Sequence, residues 1–197
     1  KQLIAAYTPK AQAETQAIEA YARRTMGPDF KLEPYDRFYY SAKMKKEQYS
    51  FSDDDVKPYF NIDSVLVNGV FYAAHRVYGL SFRQRTDLPT YHADMKVFDV
   101  LDKDGHQLAL FYCDYFRRPT KRGGAWMSAF AKQSRLRRQL PIIYNVCNYA
   151  KAPEDQPTLL TWDEVTTMFH EFGHALHGIL SDCEYNSLSG KIGRAHV

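Results

Sequence analysis

The chain has 197 residues, of which 45% are hydrophobic, 15% aromatic and 25% charged. That composition excludes a disordered, collagen-like or disulfide-scaffold chain, and it suits one globular domain able to bury about 70% of its unfolded surface. A net charge of +3 is too near neutral to define a nucleic-acid or membrane partner. No apolar run of about eighteen residues forms a membrane span.

Three cysteines, Cys113, Cys147 and Cys183, are widely spaced and make no Cys-x-x-Cys pair. Free thiols in a reducing compartment are expected, which points to the cytoplasm. The chain opens at Lys1 inside what reads as helix, so an N-terminal stretch is expected to be missing. At the other end, Lys191 to Val197 has neither apolar period nor turn logic. Ile192 to Val197 matches the translation of a sequencing-library adapter (ATC GGA AGA GCA CAC GTC). The stretch 1–190 is therefore read as native and 191–197 as a non-native tail.

In chain order, residues 9–26 are rich in Ala, Gln and Glu and read as a helix with Pro9 in its first turn. Gly27-Pro28 ends it, and 35–48 reads as a second helix. Ser52-Asp53-Asp54-Asp55 places acids at a helix start, where they complement the macrodipole. A longer helix is expected over 63–78, closing near Gly79. Residues 80–86, 94–101, 107–116 and 141–149 read as strands by their Val, Phe, Tyr and Leu content. Asp102-Lys103-Asp104-Gly105 reads as a hairpin turn, and Pro141 as compatible with an edge strand. Helices, then a sheet, then a helix indicate an α+β domain, mostly helical.

Residues 161–180 carry the chemistry. Thr161 followed by Glu164 is a capping box. Trp162, Val165, Phe169, Phe172, Leu176 and Ile179 recur at helical steps and are expected to face a core. His170 and His174 lie one turn apart on the far side, so both imidazoles can reach one ion. With Glu171 between them they form His-Glu-x-x-His, the zinc-peptidase arrangement. Two neutral imidazoles suit zinc, and a neighbouring carboxylate can take and return a proton. His170 and His174 are thus the expected zinc ligands and Glu171 the catalytic base. A catalytic site normally has a third protein ligand. Leu180 occupies the position of a third His six residues beyond His174. His177 reads as packing or as support for the ligands, and Asp182 and Glu184 sit too close to the helix end to fold back. The third ligand is therefore expected beyond the C-terminus, and the active site in this chain is expected to be incomplete and inactive.

Phe169-His-Glu-Phe-Gly-His-Ala-Leu-His-Gly178 with Tyr185 and Ser187-Leu188-Ser189-Gly190 resembles the thimet-oligopeptidase-like family of zinc metallopeptidases. Within it the sequence is most similar to the bacterial peptidyl-dipeptidase (dipeptidyl carboxypeptidase) branch. Val65 to Tyr72, Leu110 to Phe116, Gly123 to Met127 and Tyr144 to Asn148 support the likeness, which covers most of 52–190. The resemblance implies a zincin-like catalytic domain, largely helical, with a small sheet beside the zinc helix. It implies one Zn2+, a third ligand Glu downstream, and release of C-terminal dipeptides from short peptides by a monomer. An endo-acting oligopeptidase of the same family is the alternative. A nucleic-acid-binding module resting on Lys132, Arg135, Arg137 and Arg138 is the alternative from another class; a run of this kind more often forms a solvated face, so no nucleic-acid partner is expected.

Overall fold

The computed structural model describes residues 2–49 and 53–190. Ser52 and the tail 191–197 therefore lie outside the described residues. Two compact units divide the chain, Lys1–Asp55 and Val56–Val197.

In the first unit, helix α1 spans Gln2–Met26. It starts seven positions earlier than its sequence signals, and Pro9 lies inside it rather than in its first turn. The Ala-containing turns on either side hold helical geometry across the one hydrogen bond that Pro9 removes. Helix α2, Arg37–Tyr49, follows a 3-10 turn at Pro34–Asp36. Ile18 and Ala22 of α1 pack with Tyr40 of α2, and Arg24 pairs with Glu47 at 2.6 Å.

A short helix α3, Asp53–Val56, spans the division between the units, and the second unit continues with the 3-10 turn Lys57–Tyr59. Next comes one helical run: α4 (Ile62–Ser64), a π-helical stretch (Val65–Phe71) and α5 (Tyr72–Tyr78). Asn61 caps it by accepting the Asp63 and Ser64 amides at 3.0 and 3.2 Å. The sheet contains β1 (Ser81–Arg85), β2 (Lys96–Leu101), β3 (Gln107–Phe116), β4 (Trp126–Ala131) and β5 (Ile142–Tyr149), in the order β1-β2-β3-β5-β4. β3 and β5 are parallel, and the other pairs antiparallel.

Two sequence expectations change here. Strand β4 was not expected, because Trp126 to Ala131 contains no β-branched residue and two alanines. Strand β5 is interior, not an edge: β3 and β4 flank it, and Pro141 lies just before its first residue. The open edge on that side belongs to β4.

Helix α6, Trp162–Ile179, packs across the sheet. Leu66, Val70, Phe71, Phe98, Phe111, Ile143, Leu160, Met168 and Phe172 form the core between helices and sheet. The core-facing stripe of α6 is Val165, Met168, Phe172, Ala175 and Ile179. Trp162 and Phe169, both expected in it, are 54% and 40% exposed. The α+β class therefore stands, with α6 lying on one face of a mixed sheet.

Candidate active site

Both ends of α6 are fixed before any chemistry is placed on it. At its start, Thr161 Oγ1 accepts the Glu164 amide at 3.2 Å, and the Glu164 carboxylate accepts the Thr161 amide at 2.8 Å. This reciprocal cap satisfies two otherwise unpaired donors. The Tyr149 hydroxyl, at the end of β5, donates to the Glu164 carbonyl at 2.9 Å. At the far end Gly178 lies against the sheet. A Cβ there would stand 2.7 Å from Ile143 Cδ1 and 3.3 Å from Met127 Cε. A side chain at this position would have to displace the tip of Ile143 for the helix to approach β5 and β4 this closely. Midway, the Phe169 ring covers Gly69 of the π-helical stretch, where a Cβ would meet Phe169 Cζ at 3.3 Å.

Held this way, α6 turns His170 and His174 outward on adjacent turns. Their Nε2 atoms are 3.1 Å apart, and the rings stand at 84° to each other. At bond lengths of about 2.0–2.1 Å, two tetrahedral zinc ligands stand roughly 3.3 Å apart. The observed spacing and the donor types both fit such an ion. Glu171 is 7% exposed, on the flank between the histidine face and the core. Burial pushes its carboxyl above the ordinary carboxylate range, and the charge of His170 opposes that rise. Cys147 is pushed up to about 11 by burial and also raised by the Glu171 charge, and the Tyr149 phenol is raised by burial first and then by Cys147.

Among the described residues, no third His, Cys, Asp or Glu donor gathers with the histidine pair. His177 is exposed and lines a groove with Gly173, Leu180 and Cys183. Asp182 pairs with Arg135. Glu184 holds a backbone contact, its carbonyl accepting from Leu136 N at 3.2 Å and Ser134 Oγ at 3.0 Å. The basic run forms a hairpin at 134–139 that grips the chain leaving α6, with Arg138 at φ 49° in its turn. Asp102, Asp104 and His106 do gather within 4.8 Å of one another. There the Asp102 carboxylate already accepts the Asp104 and His106 amides at 2.8 and 2.9 Å, as a turn requires.

A capped, core-anchored helix presenting two converging imidazoles and a flanking carboxylate is the arrangement of a metallopeptidase helix. The sequence matches the profile of Peptidase family M3 over residues 1–194, and the chain belongs to that family. It is 42% identical over 190 residues to dipeptidyl carboxypeptidase of Escherichia coli (strain K12), an alignment covering 96% of this chain and 28% of that protein. Against oligopeptidase A of the same organism it is 38% identical over 185 residues, covering 92% and 27%. Against mitochondrial intermediate peptidase of Neurospora crassa it is 28% identical over 229 residues, covering 92% and 28%. The chain thus spans about a quarter of the length of the curated relatives it matches. Among the described residues no helix is long and apolar enough to cross a membrane.

Proposed function

We propose that this chain is the part of a zinc peptidase that carries the metal-binding helix and its supporting sheet. The observation that supports it most is the approach of His170 Nε2 and His174 Nε2 to 3.1 Å with Glu171 on the flanking surface. His170 and His174 would hold the ion. Zinc bound there would supply Lewis acidity toward a water and toward a peptide carbonyl. Glu171 would take the proton of the attacking water and return it to the leaving amine. Its burial suits the role, because a carboxylate with a raised pKa is a better proton acceptor than one in water. The substrate would be a short peptide lying extended. Gly178, one turn beyond His174, meets Met127 of β4, whose outer edge is open among the described strands. An extended chain could add to that edge by backbone hydrogen bonds.

Release of C-terminal dipeptides is the first reading of specificity, supported by the likeness to dipeptidyl carboxypeptidase. Internal cleavage is the second, supported by the likeness to oligopeptidase A. The test is a product assay on the whole enzyme, using one peptide with a free and with an amidated C-terminus. Loss of hydrolysis on amidation supports the dipeptidase. Equal cleavage of both forms refutes it and favours internal cleavage. A cytoplasmic, monomeric enzyme belongs to the same reading, consistent with three free cysteines.

A further inference from the structure

Alternate residues of a strand face opposite sides of a sheet. Cys113 and Tyr115 of β3 face the core under α6, so Asp114 between them faces the other way. Its carboxylate accepts Arg118 Nη1 and Nη2 at 2.7 and 2.8 Å, the Tyr91 hydroxyl at 2.9 Å and Lys121 Nζ at 3.1 Å. Lys121 also donates to the Phe116 carbonyl at 2.7 Å and the Cys147 carbonyl at 2.5 Å. The Asp114 and Lys121 side chains are 5% exposed and that of Arg118 is 19% exposed. Two cations thus share one carboxylate in a nearly dry cluster, leaving one positive charge in excess. Buried charge without its opposite is costly, and an anion that reached the cluster would relieve that cost.

The cluster forms one wall of a cavity of about 360 Å³. Asp114 is the sole acid among the described residues lining it, and exposed Arg122 adds a third cation at the rim. The facing wall is aromatic: Trp126 and Phe130 from β4, and Tyr144 from β5 stacked on Phe130 with ring centroids 4.4 Å apart. Asp114 occupies two of the five guanidinium donors of Arg118, so others are available for an incoming oxygen. The size suits a small organic molecule.

We propose that this cavity, on the sheet face away from the histidine pair, binds a small monocarboxylate carrying an aromatic or apolar body. The carboxylate sits toward Arg118 and Arg122, and the body lies against Trp126, Phe130 and Tyr144. Arg118, Lys121 and Arg122 outnumber Asp114, so the lining selects an anion, and the aromatic wall selects one with an apolar body. The site is separate from the peptidase reading and stands or falls independently of it.

The test uses this chain with Trp162→Phe, which leaves Trp126 as the sole tryptophan reporter at the cavity. The probes are 3-phenylpropionate, its neutral isostere 3-phenylpropionamide, and inorganic phosphate. The acid is expected to give a saturable change in Trp126 emission at least about tenfold tighter than the amide. Arg118→Gln is expected to abolish that difference. Arg122→Gln, a surface change, is expected to weaken the acid by about two- to fivefold without altering the circular dichroism. If Arg118→Gln fails to fold, Arg122→Gln and the acid–amide comparison still decide. Equal binding of acid and amide, no saturable change, or inorganic phosphate binding as tightly as the acid would each overturn the proposal.

Discussion

Glu171 on α6 and Asp114 on β3 are both buried acids, and their surroundings shift them in opposite directions. Around Glu171 burial dominates, so its carboxyl is raised. In the whole enzyme, Glu171→Gln should keep the metal, because both imidazoles remain, and should lose roughly 100- to 10,000-fold in turnover. Metal analysis together with a peptide assay checks this, and hydrolysis within a factor of about three of wild type excludes Glu171 as the base. Around Asp114 burial also favours the neutral form, but hydrogen bonds from Arg118, Tyr91 and Lys121 outweigh it and hold the carboxyl below its ordinary value of 3.8. Its contribution to stability is therefore fully present above pH 3.8 and is lost as pH falls through the lowered value. Urea midpoints of the wild-type chain should drop as pH goes from about 4 toward 2, and those of Asp114→Asn should drop less steeply. At neutral pH the same variant leaves Lys121 and Arg118 without their carboxylate, which should cost about 3–5 kcal/mol. Equal acid sensitivity of the two proteins would show that the cluster is not what titrates.

At the scale of elements, α6 depends on a glycine for its closeness to the sheet. Gly178→Leu should push the helix off Ile143 and Met127 and cost about 1–3 kcal/mol. Gly178→Ala should cost less, because the atom it meets first is the tip of a side chain that can rotate. Unchanged urea midpoints for Gly178→Leu would contradict the contact. Much of α6 was legible in the sequence because its signals are local: Thr161 and Glu164 close a cap within one turn, and His170, Glu171 and His174 are fixed by helical spacing alone. Helical spacing does not say which neighbours cover a face. That is why Met168 and Ala175, not Trp162 and Phe169, line the core. The sheet was less legible for the same reason. The position of β5 between β3 and β4 is set by long-range pairing that no residue in 141–149 announces, and β4 offers two aromatics, Trp126 and Phe130, but no β-branched residue to mark it. The Asp114–Arg118–Lys121 cluster was invisible because it needs the chain after β3 to turn back, so that Lys121 reaches the Cys147 carbonyl across 26 positions.

At the scale of the molecule, the described residues bring two imidazoles together with a carboxylate on the flank, and no third donor gathers with the pair. A complete catalytic zinc site normally has three protein ligands, and each bond contributes to affinity. The present chain, produced alone, is therefore expected to bind zinc far more weakly than complete sites do and to hydrolyse no peptide even with zinc added. Apolar groups at and beyond the end of α6 are also exposed. Leu180 and Leu188 are 40% and 66% exposed along the groove that His177 lines. Apolar surface of this kind lowers solubility and favours association. Calorimetric zinc titration and a fluorogenic peptide assay on one preparation decide the matter. Substituting both His170 and His174 by Ala should then remove whatever weak zinc binding is seen. Tight one-to-one zinc binding with turnover abolished by a chelator would mean that a donor within these residues moves to the ion. His177 would then be the first to test, since it shares the outward face of α6, whereas Asp182 would have to leave Arg135 to reach the pair.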